Sequence, residues 1–352
     1  MTVPKGRRGC MTTVAIVGLG AMGGRIARRL LDAGYEVLIW NRTAGRTSDL
    51  TELGAKPVES PADAARRAGA VITMVSDPAA LTAVMEGRVG LAAGAGSSVT
   101  VIEMSTVGPA AVLRLASVLP AGTGLLDAPV LGSLSEAESG SLHIFVGGPA
   151  SLVGRWRPLL SRLGSPIHVG SLGAGAAAKL VANLTLFGAL GVLGESLALA
   201  EGLGLSRDAA FAVLATTPLA AQAERRRAAI ESGQYPSRFP LSLARKDAEL
   251  IHSAARAAGV DLRLTEAART WLADAEVAGA DADRDYTTML TTILGDRTSR
   301  TRASSSKART LGRRNHDGLI VDLDGVVWLG GRPIDGAVEA IAKLRARAAL
   351  AA

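Results

Sequence analysis

The chain has 352 residues, 48% hydrophobic and 20% charged, a balance that excludes a disordered polymer and leaves room for two domains with large cores. Its formal net charge of +7 is unevenly placed: residues 297–316 carry +7 and residues 1–10 a further +3, leaving residues 11–296 near −2. A near-neutral body excludes a broad nucleic-acid-binding surface, and the basic stretch reads as a solvated linker.

The first residues, "MTVPKGRRGC", lack the apolar middle of a secretory signal and read as an extension over residues 1–11, with Met11 a second candidate start. They hold the chain's single cysteine, Cys10, which rules out an internal disulfide and fits a reducing, cytoplasmic setting. From residue 13 the pattern alternates. "TVAIVGL" predicts a buried strand, "GGRIARRLLDAG" a helix stopped at Gly34, and "YEVLIW" (35–40) the next strand. Helices near 61–68, 78–86 and 108–118 then interleave with strands at 70–76, 98–105 and 124–130, followed by a β-rich piece at 141–148. Strands alternating with helices predict a doubly wound, parallel α/β sheet of the Rossmann type over residues 12–170.

Beyond about residue 170 the pattern becomes helical, which predicts an all-α domain over 171–296 begun by a long interdomain helix, "GAGAAAKLVANLTLFGALGVLGESLALA". Its apolar run, 184–194, is eleven residues long between Asn183 and Glu195, too short for a membrane span. Lys179 and Asn183 stand four residues apart, so both leave one face of an otherwise apolar helix. A lysine placed there needs a partner or a task. After the basic linker (297–316), residues 317–352 restart with a strand, a loop and a helix.

Between the first strand and helix lies "GLGAMG", Gly18-Leu19-Gly20-Ala21-Met22-Gly23. A G-x-G-x-x-G in this setting reads as a dinucleotide-binding turn: Gly18 for the bend, Gly20 for approach of a pyrophosphate, Gly23 for close packing of helix on strand. The helix N-terminus adds free N–H groups and partial positive charge. At the end of the second strand stands "WNRT", where an acid would favour the ribose hydroxyls of NAD. Arg42 can instead pair with a 2′-phosphate, with hydrogen bonds from Asn41 and Thr43, so NADP(H) is expected and NAD(H) is the alternative.

With these motifs stand "EMSTVGP" (103–109), "DAPVLGSLSEAESGSL" (127–142), "GAGAAAKLVANL" (173–184) and "LARKDAELI" (243–251), in that order. Over residues 12–294 the chain resembles the β-hydroxyacid dehydrogenase family, which includes 3-hydroxyisobutyrate dehydrogenase and glyoxylate reductases. The resemblance implies hydride exchange between a nicotinamide and a small 3-hydroxyacid or aldehyde, in a homodimer or tetramer. It implies that Lys179 is the catalytic acid/base with Asn183 beside it. Thr106 and the turn at Val75 and Ser76 would border the dinucleotide, and Lys246 and Asp247 would lie near nicotinamide and substrate. Chemically, a lysine aimed at a carbonyl oxygen stabilises the negative charge that hydride transfer develops and can supply the proton. The family's substrate-holding segment departs here: Leu131 replaces a serine and donates no hydrogen bond, leaving the backbone N–H groups of Gly132 and Ser133 as anion donors. That departure opens room for a less polar carbonyl compound. Related imine reductases share the scaffold, typically without this lysine.

The alternatives are an imine reductase-like enzyme and a catalytically idle dinucleotide-binding protein. "VDLDGVVWLGGRPIDGAVEAI" (321–341) resembles the opening of haloacid dehalogenase-like phosphatases, with Asp322 and Asp324 in the positions of its nucleophile and acid/base. The other groups of that site have no counterpart before Ala352, so a truncated fragment is expected. The four histidines, at 143, 168, 252 and 316, lack metal-ligand spacing, so no metal is expected. His143, in an apolar strand, reads as a core residue, and the dispersed Trp156, Trp271 and Phe187 make no base-stacking platform for nucleic acid.

Overall fold

The structure, a computed structural model, describes residues 12–278 and 284–295, and the backbone of residues 328–329 and 332–333. The chain divides into two compact units, Met1–Thr298 and Ser299–Ala352.

In the first unit, strands β1 (Val14–Val17), β2 (Val37–Trp40), β3 (Lys56–Pro57), β4 (Ala70–Thr73), β5 (Thr100–Glu103) and β6 (Gly124–Asp127) lie parallel in the order 3-2-1-4-5-6. Helices α1 (Ala21–Asp32), α2 (Ser48–Glu52), α3 (Pro61–Arg67), α4 (Pro78–Met85), α5 (Leu91–Gly94) and α6 (Gly108–Val118) alternate with them. Continuous apolar strands are explained by burial on both faces. In β1, Val14 and Ile16 join one core with Ile26 and Leu30 of α1, while Ala15 and Val17 join another with Ala64, Leu81 and Leu115. Where strand order reverses, between β1 and β4, a crevice opens at the carboxyl ends of the strands, as doubly wound sheets require.

The sheet is not wholly parallel. β7 (Val130–Leu131), α7 (Leu134–Ser139), β8 (Leu142–Gly147), α8 (Ala150–Leu160) and β9 (Gly164–Gly170) extend its far edge. There β8 runs antiparallel to both β6 and β7, while β9 pairs with β8 in parallel. β6 and β7 follow one another in the same direction along β8, and the chain reverses only after Leu131, through α7, so that β8 returns antiparallel to both.

The helical part comprises α9 (Ala174–Gly202), α10 (Arg207–Leu214), α11 (Ala220–Ser232), α12 (Leu241–Ala257), α13 (Arg263–Val277) and α14 (289–295). α9 runs through its middle: Phe187, Leu190, Leu193 and Leu197 pack with Leu241 and Ile251 of α12, Leu272 of α13 and Met289. Its small residues let neighbours approach. A side chain at Gly191 would meet Trp271 at 2.2 Å, and one at Gly194 would meet Ile293 at 2.9 Å. At 29 residues α9 is long and apolar enough to cross a bilayer by length and composition, which the eleven-residue run alone did not reveal. Its inner face is instead filled by α12, α13 and the sheet.

In the second unit, Trp328–Leu329 pairs antiparallel with Arg332–Pro333. Asp322, Asp324 and the basic stretch 297–316 lie outside the described residues, so the phosphatase resemblance gains no support.

Candidate active site

The turn after β1 has the contacts that its glycines predict. Gly18 has φ +103°, and a Cβ there would meet the Met74 carbonyl oxygen at 2.3 Å; one at Gly23 would meet the Gly18 oxygen at 2.0 Å. A Cβ at Gly20 would meet nothing within 4 Å. The two tight positions shape the turn and the open one faces free space, the arrangement that admits a diphosphate. α1 starts at this turn with Gly20 as its N-cap, no side-chain cap and no acid in its first turn, so its N–H groups are available to an anion.

The end of β2 works differently from its sequence expectation in one respect. The Asn41 amide is engaged within the protein: Oδ1 accepts from Leu19 N–H at 2.9 Å and Nδ2 donates to the Thr43 carbonyl at 2.9 Å. Asn41 thus braces the glycine turn. Arg42 and Thr43 are exposed, and among the described residues Arg42 forms no ion pair. Arg46, exposed on the next short turn, brings a second cation that the sequence reading passed over.

Across the crevice, Val75 N–H donates to Ser105 Oγ at 2.8 Å and Ser76 Oγ to Asp77 Oδ2 at 2.6 Å, so the loops after β4 and β5 are tied together. Glu103, at the end of β5, is fully buried and accepts from Ser105 N–H at 2.6 Å and from the Thr73 hydroxyl. Burial pushes its carboxyl up to about 7, against the pull of those hydrogen bonds.

Beside Glu103 in register lies Asp127, which did not stand out in the sequence. Its Oδ1 accepts from Gly173 N–H at 2.9 Å and its Oδ2 from Ala176 N–H at 2.7 Å. One buried carboxylate thereby holds the first turn of α9 against the sheet, and Lys179 follows one turn later. Gly147 and Gly175 permit this: a Cβ at Gly147 would meet Asp127 Oδ1 at 2.3 Å, and one at Gly175 would meet the Phe145 oxygen at 2.4 Å. A signal was present, since two acids closing adjacent apolar strands need donors nearby.

A cleft of about 1170 Å³ brings the predicted residues together. Gly20, Ala21, Met22, Gly23, Val75, Ser76 and Thr106 line it from the sheet side; Lys179, Asn183, Lys246 and Asp247 line it from the helices. Gly18, Leu19, Asn41, Arg42 and Thr43 do not line it. Lys179 is half-buried, and among the described residues no hydrogen bond or ion pair engages its ammonium. Loss of water pulls it down to about 8 from 10.5; Asp247 opposes that shift and Lys246 adds to it. Asn183 is buried and its amide donates to Asp247 Oδ2 at 2.6 Å, so within the protein it orients the carboxylate. Lys246 Nζ lies 2.6 Å from Asp247 Oδ1 and donates to the Thr106 carbonyl at 2.5 Å, joining α12 to the loop after β5. Burial raises the Asp247 carboxyl despite both lysines.

Two expectations change. Leu131, Gly132 and Ser133 line the cleft, but Ser133 N–H donates to Glu136 Oε2 at 2.7 Å and its hydroxyl donates to the same carboxylate. Ser133 is thus engaged by Glu136, whose carboxyl those bonds hold down at about 2, so it is no free anion donor. His143 is exposed and lines the cleft, because β8 alternates: Leu142, Ile144 and Val146 point into the core and His143 to the other face. Among the described residues no group of His, Cys, Asp and Glu is placed to hold a metal.

Residues 13–173 match the family described as the NAD binding domain of 6-phosphogluconate dehydrogenase, and residues 173–293 that described as NAD-binding of NADP-dependent 3-hydroxyisobutyrate dehydrogenase. 3-Sulfolactaldehyde reductase of Escherichia coli is 31% identical over 76% of this chain and 92% of its own length. Glyoxylate/succinic semialdehyde reductase 1 of Arabidopsis thaliana is 29% identical over 80% of this chain and 98% of its own. The Mycobacterium tuberculosis 3-hydroxyisobutyrate dehydrogenase, solved with L-serine, superposes with a TM-score of 0.73 at 28% identity, covering 80% of this chain and 99% of that one. Glycine turn, crevice and relatives converge: the chain belongs to the β-hydroxyacid dehydrogenase family of nicotinamide dinucleotide-dependent oxidoreductases.

Proposed function

We propose that this enzyme is an NADP(H)-dependent reductase of small aldehydes and dehydrogenase of the matching hydroxyacids, with Lys179 as its acid/base. The observation that carries the reading is Lys179 itself, an ammonium with no partner among the described residues, brought down to about 8 in the lining of the cleft. Gly18, Gly20, Gly23 and Thr106 hold the dinucleotide, which supplies the hydride when bound. Lys179 directs its ammonium at the substrate oxygen, stabilises the charge that develops there and gives up its proton; oxidation reverses both roles. Asn183 and Lys246 hold Asp247, whose charge sets how readily that proton leaves. The ammonium disfavours the imine alternative, because a protonated imine is itself a cation.

Arg42 supports the choice of NADP(H): it stands exposed at the end of β2 with no acid beside it at 41 or 43. Residues 12–170 form the nucleotide-binding domain and 171–296 the helical domain in this reading. Val181, Val192 and Leu199 on one face of α9, with Leu203 at its C-terminal cap, are 42–70% exposed, which supports a homo-oligomer built on that face. The cysteine usage supports a cytoplasmic location.

A panel of small aldehydes and 3-hydroxyacids, assayed with NADPH and NADH on wild type, Lys179→Met and Arg42→Glu, tests the proposal. Lys179→Met should abolish turnover while NADP⁺ still binds, and Arg42→Glu should reverse the cofactor preference. Undiminished turnover by Lys179→Met would overturn the acid/base assignment. A wild-type preference for NADH would overturn that of Arg42.

A further inference from the structure

On the helical wall of the cleft stands a cation that, among the described residues, is paired with no acid. Arg226 of α11 lines the cleft together with Gln222 and Arg225. Its Nη2 donates to Tyr286 Oη at 2.5 Å, and its guanidinium lies 5.3 Å from the centre of the Tyr286 ring. Its Nε is buried with no hydrogen-bond partner, and among the described residues Arg226 forms no ion pair. The next residue contrasts with it: Arg227 pairs with both Asp208 and Glu231.

The acids that line the same cleft are already engaged. Glu136 is bonded by Ser133, and Asp247 by Asn183 and Lys246. Asp285 accepts from the N–H groups of Arg238, Phe239 and Thr287. A half-buried guanidinium fixed by a ring and a phenol, with donors to spare, seeks a planar oxyanion. The opposite wall offers a poorer seat, with the backbone N–H of Gly132 as its remaining candidate donor in that segment. Leu131 has no donor, and the carboxylate of Glu136 holds both donors of Ser133.

We propose that Arg226, held in place by Tyr286, is the anion subsite of this enzyme and receives a substrate carboxylate remote from the reacting carbonyl. The inference rests on the oxidoreductase reading for the reaction, while the anion site stands on its own geometry. The enzyme therefore selects ω-oxo acids, and the hydroxyacids they yield, over uncharged aldehydes of the same size.

Two measurements on the full chain test this. Succinate is titrated calorimetrically into protein saturated with NADP⁺, which requires no turnover. In parallel, kcat/KM is compared for succinic semialdehyde and its uncharged amide, 4-oxobutanamide. Arg226→Met should weaken succinate binding at least tenfold and lower the charged-over-uncharged ratio of kcat/KM by a similar factor, carried by KM; Arg226→Lys should restore part of both. Where Arg226→Met fails to fold, as judged by thermal unfolding, Arg226→Lys and Arg226→Gln make the same comparison. Failure of the wild type to bind succinate, or an unchanged ratio in the variants, overturns the subsite. Should the wild type reduce neither aldehyde, the reaction assignment falls, and the succinate titration still decides the subsite.

Discussion

Carbonyl reduction by this enzyme should fall steeply between neutral and alkaline pH. Burial, partly offset by Asp247, brings the Lys179 ammonium down from 10.5 to about 8. At 1.36 kcal/mol per pH unit this is roughly 3 kcal/mol less preference for the charged form. Such a group is roughly 90% protonated at pH 7 and roughly 10% at pH 9, so kcat/KM for reduction should drop on the order of tenfold across that interval. Oxidation of the hydroxyacid, which needs the neutral amine, should rise by a similar factor. A lysine at its ordinary value would stay almost wholly protonated, and the profile would be flat. Initial rates of NADPH consumption across this range provide the assay, with two variants that move the limb in opposite directions. Asp247→Asn removes the charge that favours the ammonium and shifts the limb to lower pH; Lys246→Met removes a like charge and shifts it higher. A flat wild-type profile, or a limb that persists in Lys179→Arg, would refute the reasoning.

Three further outcomes are expected. Asp127→Ala leaves the N–H groups of Gly173 and Ala176 buried and unpaired, at about 1–3 kcal/mol each; denaturant melts should register the loss, with Asp127→Asn losing less. Native Glu103 keeps its proton up to about 7, whereas the unfolded chain releases it near 4.5. Stability from this group is therefore full below about 4.5 and declines by roughly 3 kcal/mol as pH rises to about 7; Glu103→Gln should flatten that decline in melts compared across pH. Leu199→Asp combined with Leu203→Asp puts charge on the exposed face of α9, and light scattering should then show a smaller assembly than the wild type.

The glycine turn and the lysine helix were legible because their constraints are local. Positive φ at Gly18, the missing Cβ at Gly23 and the four-residue spacing of Lys179 and Asn183 all follow from neighbours along the chain. The antiparallel edge was not legible, because strand direction is set by the reversal after Leu131, through α7, and leaves no trace in apolar content. His143 was recoverable: the period-two pattern Leu142, Ile144, Val146 places it off the core face. Asp127 and Glu103 needed the register of two strands, and Arg226 needed Tyr286, sixty residues away. Read alone, "ERRRAAIES" is a solvated helix face.

The bracing of α9 by Asp127 divides the labour of the enzyme between two bodies of atoms. Because that helix is anchored to the sheet that bears the glycine turn, Lys179, the proton donor we propose, and the glycine turn share one frame of reference. Arg226, Tyr286 and Phe239 stand on other segments. Replacing residues on those segments can therefore retune which molecule is accepted while the distance over which hydrogen moves stays as the sheet sets it, a separation that makes the scaffold a tractable starting point for redesign.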